Sequence, residues 1–198
     1  MIVEISESIT DKIITKYNLN VSDEDIYSYG VFMFLSFLIF LLLTFIIGII
    51  LNCKIESLVF YFSFQLLRKY CGGYHADTSL KCEIITTIVC LLSVLSIKAV
   101  NLSQNGNPVL IIAIIFSAVI FILSPIDTYE NPLSYKEKKS FGKIGRIILL
   151  VMLSIISVTF IFKINLLFIP CCVSIILEGV LLIAGKAKKI RMGKCGET

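Results

Sequence analysis

One histidine occurs in this chain, His75, and it stands seven residues before Cys82 in the segment Arg68-Lys-Tyr-Cys-Gly-Gly-Tyr-His-Ala-Asp-Thr-Ser-Leu-Lys-Cys82. A thiol and an imidazole are the two groups from which a cysteine nucleophile and its general base are built. Spacing tests whether they can meet. On one straight helix, seven residues put both side chains on one face but about 10 Å apart along the axis. A base must come within about 2.6–3.2 Å of the proton it removes. The pair therefore needs a break in the backbone, and the segment supplies one. Gly72-Gly73 permits a sharp turn, and Asp77, Thr78 and Ser79 are all good N-cap residues. A cap at Thr78 or Ser79 puts Cys82 in or just after the first turn of the next helix, where the helix dipole and Lys81 favour a thiolate. His75 then folds back from the preceding loop, and Asp77 either orients the imidazole or simply caps.

The elements that must hold this segment are hydrophobic. Of 198 residues, 57% are hydrophobic and 16% charged, against roughly a quarter charged in a soluble domain. Apolar runs cover Gly30–Leu51, Ile84–Ile97, Pro108–Ser124, Ile147–Phe162 and Ile164–Leu177, the last resuming after Glu178 as Gly179–Gly185. A spanning helix needs about 17–25 largely apolar residues. The reading is an all-α, polytopic membrane helical bundle forming one domain over 1–198, with about six hydrophobic segments. Within it lie a polar N-terminal segment (1–29), the candidate catalytic segment (68–83), a basic loop (125–146) and a basic tail (186–198). The stretch 55–67, with Glu56 and Gln65, reads as a short span, a re-entrant helix or an interfacial one, and six crossings are favoured. Ile2, Ile5, Ile9, Ile13 and Tyr17 recur at helical spacing, which reads as an amphipathic helix in the interface plane. Ser22–Asp25 reads as the start of the next helix. The acid-rich 1–29 is not a cleavable signal peptide by composition.

Basic residues order the loops. Lys136, Lys138, Lys139, Lys143 and Arg146 follow the third apolar run, and Lys186, Lys188, Lys189, Arg191 and Lys194 crowd the tail. Such loops stay cytoplasmic, which puts 101–107 and 163–165 outside and the His75/Cys82 segment inside. The seven cysteines, mostly in apolar runs, do not form an extracellular disulfide framework; Cys90, Cys171 and Cys172 read as small buried hydrophobes. A metal site from Cys71, His75 and Cys82 matches no common zinc spacing, so no cofactor is expected. Glu178 falls mid-span and needs a partner or a wet cavity, with Lys98 the candidate. Asp127 reads as a turn acid.

The pattern Arg68-x-x-x-Gly72-Gly73-x-His75-Ala76, with Cys82 six residues beyond Ala76, closely resembles the signature of the accessory gene regulator B family of membrane-embedded cysteine endopeptidases. Ser124-Pro125-Ile126-Asp127 and Asn131-Pro132-Leu133, ahead of a lysine-rich stretch, resemble that family's second recognisable stretch. Ser124 stands where the family usually has a small residue such as Ala, and Asn131 where it often has Lys. The resemblance implies Cys82 as nucleophile and His75 as general base. It implies a short quorum-sensing propeptide as substrate, carrying an amphipathic N-terminal helix. Cleavage would proceed through a peptidyl thioester that closes to a thiolactone or lactone ring.

Beside it, Lys136, Lys138 and Lys139 read as anchors on anionic phospholipids, as a dock for an acidic peptide tail, or as both. Arg68 reads either as a carboxylate ligand or as a headgroup contact. A homodimer is plausible for so small a bundle, and no nucleic-acid partner is expected. The competing classes are a small permease or peptide exporter, relying on Glu178 and Lys98, and a non-enzymatic scaffold. Absence of a GxxxxGK[ST] motif argues against an ATP-driven pump.

Overall fold

The structure is a computed structural model that describes residues 2–17, 24–74, 76, 78–103, 105–127 and 133–195. Seven helices follow one another among them: α1 (Ile2–Tyr17), α2 (Glu24–Ile50), α3 (Lys54–Cys71), α4 (Ser79–Ser103), α5 (Asn107–Leu123), α6 (Tyr135–Ile161) and α7 (Asn165–Cys195). Helices are what such a sequence must form, because lipid offers no partner for an open backbone. Four of them, α2, α4, α6 and α7, are long and apolar enough to cross a membrane, and α5 is a shorter apolar helix. The all-α membrane bundle read from composition is the fold observed.

The two inner helices are α3 and α7. Phe60, Leu67 and Cys71 on α3 and Cys172, Ile175 and Leu182 on α7 are each essentially inaccessible. Ser174 Oγ donates to the Phe60 carbonyl at 3.1 Å, tying the two together at mid-height. α2, α4, α5 and α6 surround them, which is why α2, α4 and α5 carry so many exposed Leu, Ile and Phe side chains, while α1 packs on α2. Outward apolar faces are the norm where lipid is the solvent.

Contacts sort the helix ends into two groups. At one end Phe160 meets Phe168, their rings 5.4 Å apart, and Gly106 lies against the Phe168 ring. The same end holds the α2–α3 turn, where the Cys53 N–H donates to the Gly48 carbonyl at 2.8 Å. At the other end the Cys71 carbonyl accepts from the Ile126 N–H at 3.0 Å, and the Leu181 carbonyl accepts from the Tyr74 N–H at 3.0 Å. α3 therefore runs from one end to the other. Its 18 residues cover about 27 Å at 1.5 Å per residue, close to the hydrocarbon thickness of about 30 Å. Residues 55–67 thus lie within a longer helix that runs from one end of the bundle to the other. Its polar groups are spent inside: Tyr61 Oη donates to the Phe37 carbonyl at 2.7 Å and accepts from Gln65 Nε2 at 2.8 Å.

Three expectations need correction. Lys136 to Arg146 do not lie in a loop, because α6 begins at Tyr135. Ser134 Oγ accepts from the Glu137 N–H at 3.3 Å, and Glu137 Oε2 accepts from the Ser134 N–H at 2.9 Å. This reciprocal capping box starts a helix at that point. Nor do residues 186–195 form a separate tail, since α7 continues through them. Finally, Lys98 is not the partner of Glu178; it lies within electrostatic reach of Cys53 at the opposite end. Of the expected helix start at Ser22–Asp25, α2 begins at Glu24, and residues 22 and 23 lie outside the described residues.

Loss of a Ser N-cap costs about 1 kcal/mol. Ser134→Ala should therefore speed amide exchange in the first turn of α6 several-fold and leave α7 unchanged. Hydrogen exchange read by mass spectrometry checks this, and equal exchange in both proteins would exclude the cap as the element that starts α6.

Candidate active site

α3 ends because Gly72 and Gly73 take backbone conformations closed to most residues, with φ of 79° and 132°. Both conformations lie in the region that only glycine enters without strain. The space is as restricted as the angle. A Cβ at Gly72 would strike the Ile126 carbonyl oxygen, and one at Gly73 would strike Arg68 Nη1.

Arg68, one turn before the pair, folds back over it. Its Nη1 donates to the Gly72 carbonyl at 3.0 Å, and its Nη2 donates to the Tyr74 carbonyl. Of its two expected roles, neither a substrate carboxylate nor a lipid headgroup is needed to explain this placement. The guanidinium braces the turn. Gly72 pairs with Ile126 in an isolated parallel bridge, so residues 124–126 form a second wall of the turn. The third wall is α7: the Leu181 carbonyl holds the Tyr74 N–H, and a Cβ on Gly185 would meet the Gly73 carbonyl carbon at 2.7 Å. Lys188, one turn further along α7, stands over the Tyr74 ring at 5.5 Å.

His75 and Asp77, the proposed base and its orienting acid, lie outside the described residues. Chain continuity alone fixes that His75 follows Tyr74. On the far side of the turn the expected cap is present. Thr78 Oγ1 accepts from the Lys81 N–H at 3.3 Å, the Cys82 N–H donates to the Thr78 carbonyl at 3.0 Å, and α4 starts at Ser79. Cys82 is thus the fourth residue of α4. It is half-buried, unlike Cys53, Cys71, Cys90, Cys171 and Cys172, which are buried. Lys81 beside it is exposed.

The basic residues gather at the same end, around an acid the sequence reading underrated. Asp127 Oδ1 accepts from Lys189 Nζ of α7 at 2.6 Å and from Lys138 Nζ of α6 at 3.3 Å. The Lys189 hydrogen bond, helped by Lys138, holds the Asp127 carboxyl below its ordinary range. One carboxylate so clasps the start of α6 and the end of α7 to the segment whose Ile126 pairs with Gly72. Lys138 serves this clasp, while Lys136 and Lys139 are exposed on the same turns. Lys189 and Leu181 could not be found from spacing, because they lie 62 and more than 100 positions from their partners. The clasp's only sequence signal is an acid placed between two basic clusters.

A fold and site of this kind define a small helical membrane protein in which a glycine turn precedes a half-buried thiol. The sequence profile described as "Accessory gene regulator B" matches residues 6–183, and the chain belongs to that family. It is 29% identical over 163 residues to "Putative AgrB-like protein 2" of Clostridium perfringens strain 13, covering 80% of this chain and 76% of that one. It is 27% identical over 150 residues to "Putative AgrB-like protein" of C. perfringens strain SM101, covering 73% and 70%. With "Accessory gene regulator protein B" of Staphylococcus aureus strain MW2 it shares 30% identity over 109 residues, 54% of this chain and 57% of that one. No solved structure matches. Family membership gives the chain a role in processing the autoinducer of accessory gene regulator quorum sensing.

Because the Asp127 carboxyl titrates below the usual aspartate value of about 3.9, the clasp contributes its stability above that value and loses it as pH falls through the lower, folded value. Asp127→Asn should thus lower the thermal midpoint by a similar amount from pH 8 to pH 5. The difference should shrink below about pH 4. Paired melting curves measure it, and a difference that grows on acidification would contradict the ion-pair assignment.

Proposed function

We propose that the protein is a membrane-embedded cysteine endopeptidase that cuts the C-terminal tail from a short quorum-sensing propeptide and promotes closure of the remaining peptide into a ring. The observation that carries this reading is the setting of Cys82: half-buried in the first turn of a capped helix, beyond a braced glycine turn that leads into the only histidine.

In the first half-reaction His75 takes the Cys82 proton and the sulfur attacks the scissile carbonyl. The tetrahedral adduct collapses, the C–N bond breaks, and the tail leaves as an amine that receives the proton from His75. A peptidyl thioester on Cys82 remains. In the second, a cysteine or serine within the peptide attacks that thioester, the bond between the acyl carbon and the Cys82 sulfur breaks, and a thiolactone or lactone is released while the attacking group's proton passes to the Cys82 thiolate and restores the thiol. A thioester keeps the acyl group activated, and an internal nucleophile outcompetes water through its high effective molarity. Restricted water at the lipid edge protects the intermediate. Asp77 orients the imidazole.

The end that carries Cys82 faces the cytoplasm, since Lys136, Lys138, Lys139, Lys143 and Lys189 lie there and basic segments remain on that side. Lys136 and Lys139 meet anionic phospholipids and the acidic part of the peptide tail. The substrate's amphipathic helix lies in the same interface. A second copy of the chain is a further candidate partner.

The test reconstitutes the full chain in liposomes with a propeptide that has an amphipathic start, a central Cys or Ser and an acidic end. Tail release is read by mass spectrometry. Cys82→Ala and His75→Ala should each abolish it, whereas Cys90→Ala and Cys171→Ala should cleave at near wild-type rates. Cleavage that survives Cys82→Ala but not Cys90→Ala would mean that a different thiol acts.

A further inference from the structure

Arg146 is the last charged residue of α6, and it is held sideways. Its guanidinium lies 5.3 Å over the Phe121 ring of α5, and its Nε donates to the Phe121 carbonyl at 3.5 Å. Both Nη groups keep no acceptor among the described residues, and no acid among them pairs with the guanidinium. Lys136, Lys139 and Lys143 precede it at helical spacing on the same flank of α6. All four cations are exposed, while Gly142, Gly145, Leu149 and Met152 form the buried face. The flank continues as Ile147 and Leu150, exposed and apolar. Phe121, also exposed, stands across from them. α5 packs mainly on α7 and touches α6 sparingly. The space between α5 and α6 is therefore an open groove, cationic at the end shared with the glycine turn and apolar below it.

Depth decides what fits there. α5 has 17 residues, about 25 Å at 1.5 Å per residue, and α6 covers a similar length from Arg146 to Lys163. Both fall short of a hydrocarbon thickness of about 30 Å. A short span draws the bilayer surface down to it, and a cation fixed so low needs an anion that can descend with the surface. We propose that the α5–α6 groove binds one anionic glycerophospholipid, its phosphate on Arg146 and Lys143 and an acyl chain along Phe121, Ile147 and Leu150. A guanidinium with both Nη groups free meets a phosphate bidentately, and basic pockets between membrane helices bind such headgroups. An acidic peptide would match the cations but not the apolar half of the groove. The groove also belongs to a different side of the bundle from Cys82, since α4 packs on α2, α7 and α3 whereas Arg146 meets α5. The site is independent of the peptidase reading.

The test mixes full-length protein in detergent with equal amounts of dioleoylphosphatidylglycerol and dioleoylphosphatidylcholine, and native mass spectrometry counts the lipid that stays bound. One phosphatidylglycerol per chain should be retained in preference. Arg146→Gln should lower that retention about fivefold, as the loss of one basic residue at a membrane surface predicts, and Lys143→Gln should lower it in the same direction. Lys136→Gln with Lys139→Gln, on the turns beyond the groove, should leave it within about twofold. Glycerophosphate, which has the headgroup chemistry without acyl chains, should not displace the lipid, nor should hexaglutamate. Equal retention of the two lipids would overturn the site. Retention unchanged by Lys143→Gln and by Arg146→Gln would do the same, and the lysine variant keeps the test open if the arginine variant fails to fold. Displacement by hexaglutamate would reassign the groove to an acidic peptide and overturn the lipid assignment.

Discussion

Three residues of unwound backbone inside a membrane bundle, Gly72 to Tyr74, set the terms for everything around them. No lipid can hydrogen-bond their amides and carbonyls, and no regular element does it for them. Two of the partners, Ile126 and Leu181, come from far along the chain, and Arg68 supplies the rest locally. The Gly72 N–H stays with the Arg68 carbonyl, the Cys71 carbonyl takes the Ile126 N–H, and the Tyr74 N–H goes to Leu181. The Gly72 and Tyr74 carbonyls are held by one guanidinium. Remove the side chain's planar fork and two carbonyls are orphaned at once, which a lysine's single nitrogen cannot repair.

That accounting explains why the segment lies where it does. Only a helix end lets the chain break without disturbing the hydrogen bonds of its neighbours, and α3 supplies one at the boundary. The two glycines let Ile126 on one side and Arg68 on the other approach closer than any side chain would permit. The Asp127 clasp keeps the Ile126 wall from drifting, since it is tied to both α6 and α7. The nucleophile candidate stands just outside this framework, on the first turn of a fresh helix. It inherits a fixed position without being buried.

Much of this was legible from residue order. Long apolar runs announced α2, α4, α5, α6 and α7, because lipid-facing helices are apolar whatever their neighbours. The Thr78 cap and the glycine break followed from local chemistry, which is written within a few residues. α3 was ambiguous for the opposite reason: it packs at the centre of the bundle, where its Tyr61 is satisfied by α2 and its Gln65 by Tyr61, and these polar residues lower its apolar signal. The Ser134-x-x-Glu137 box was readable, yet the cluster of lysines after it suggested a loop. Long-range pairings were not readable at all. Glu178 looked toward Lys98, which the bundle carries to its other end, and the neighbour Lys189 finds across the bundle is fixed only by how the helices pack.

The mixed character of α3 also bears on how the chain is made. Lys54 and Glu56 at one end of this helix, Arg68 and Lys69 at the other, and Gln65 within it lower its tendency to enter a bilayer by itself. Only Leu51–Cys53 separate it from the strongly apolar α2. The two therefore enter the bilayer as one hairpin, with α2 drawing in its polar follower. α3 then waits for α7 before its buried groups are enclosed. The glycine turn, whose Tyr74 N–H is held by Leu181 of α7, is thus completed only once α7 has packed.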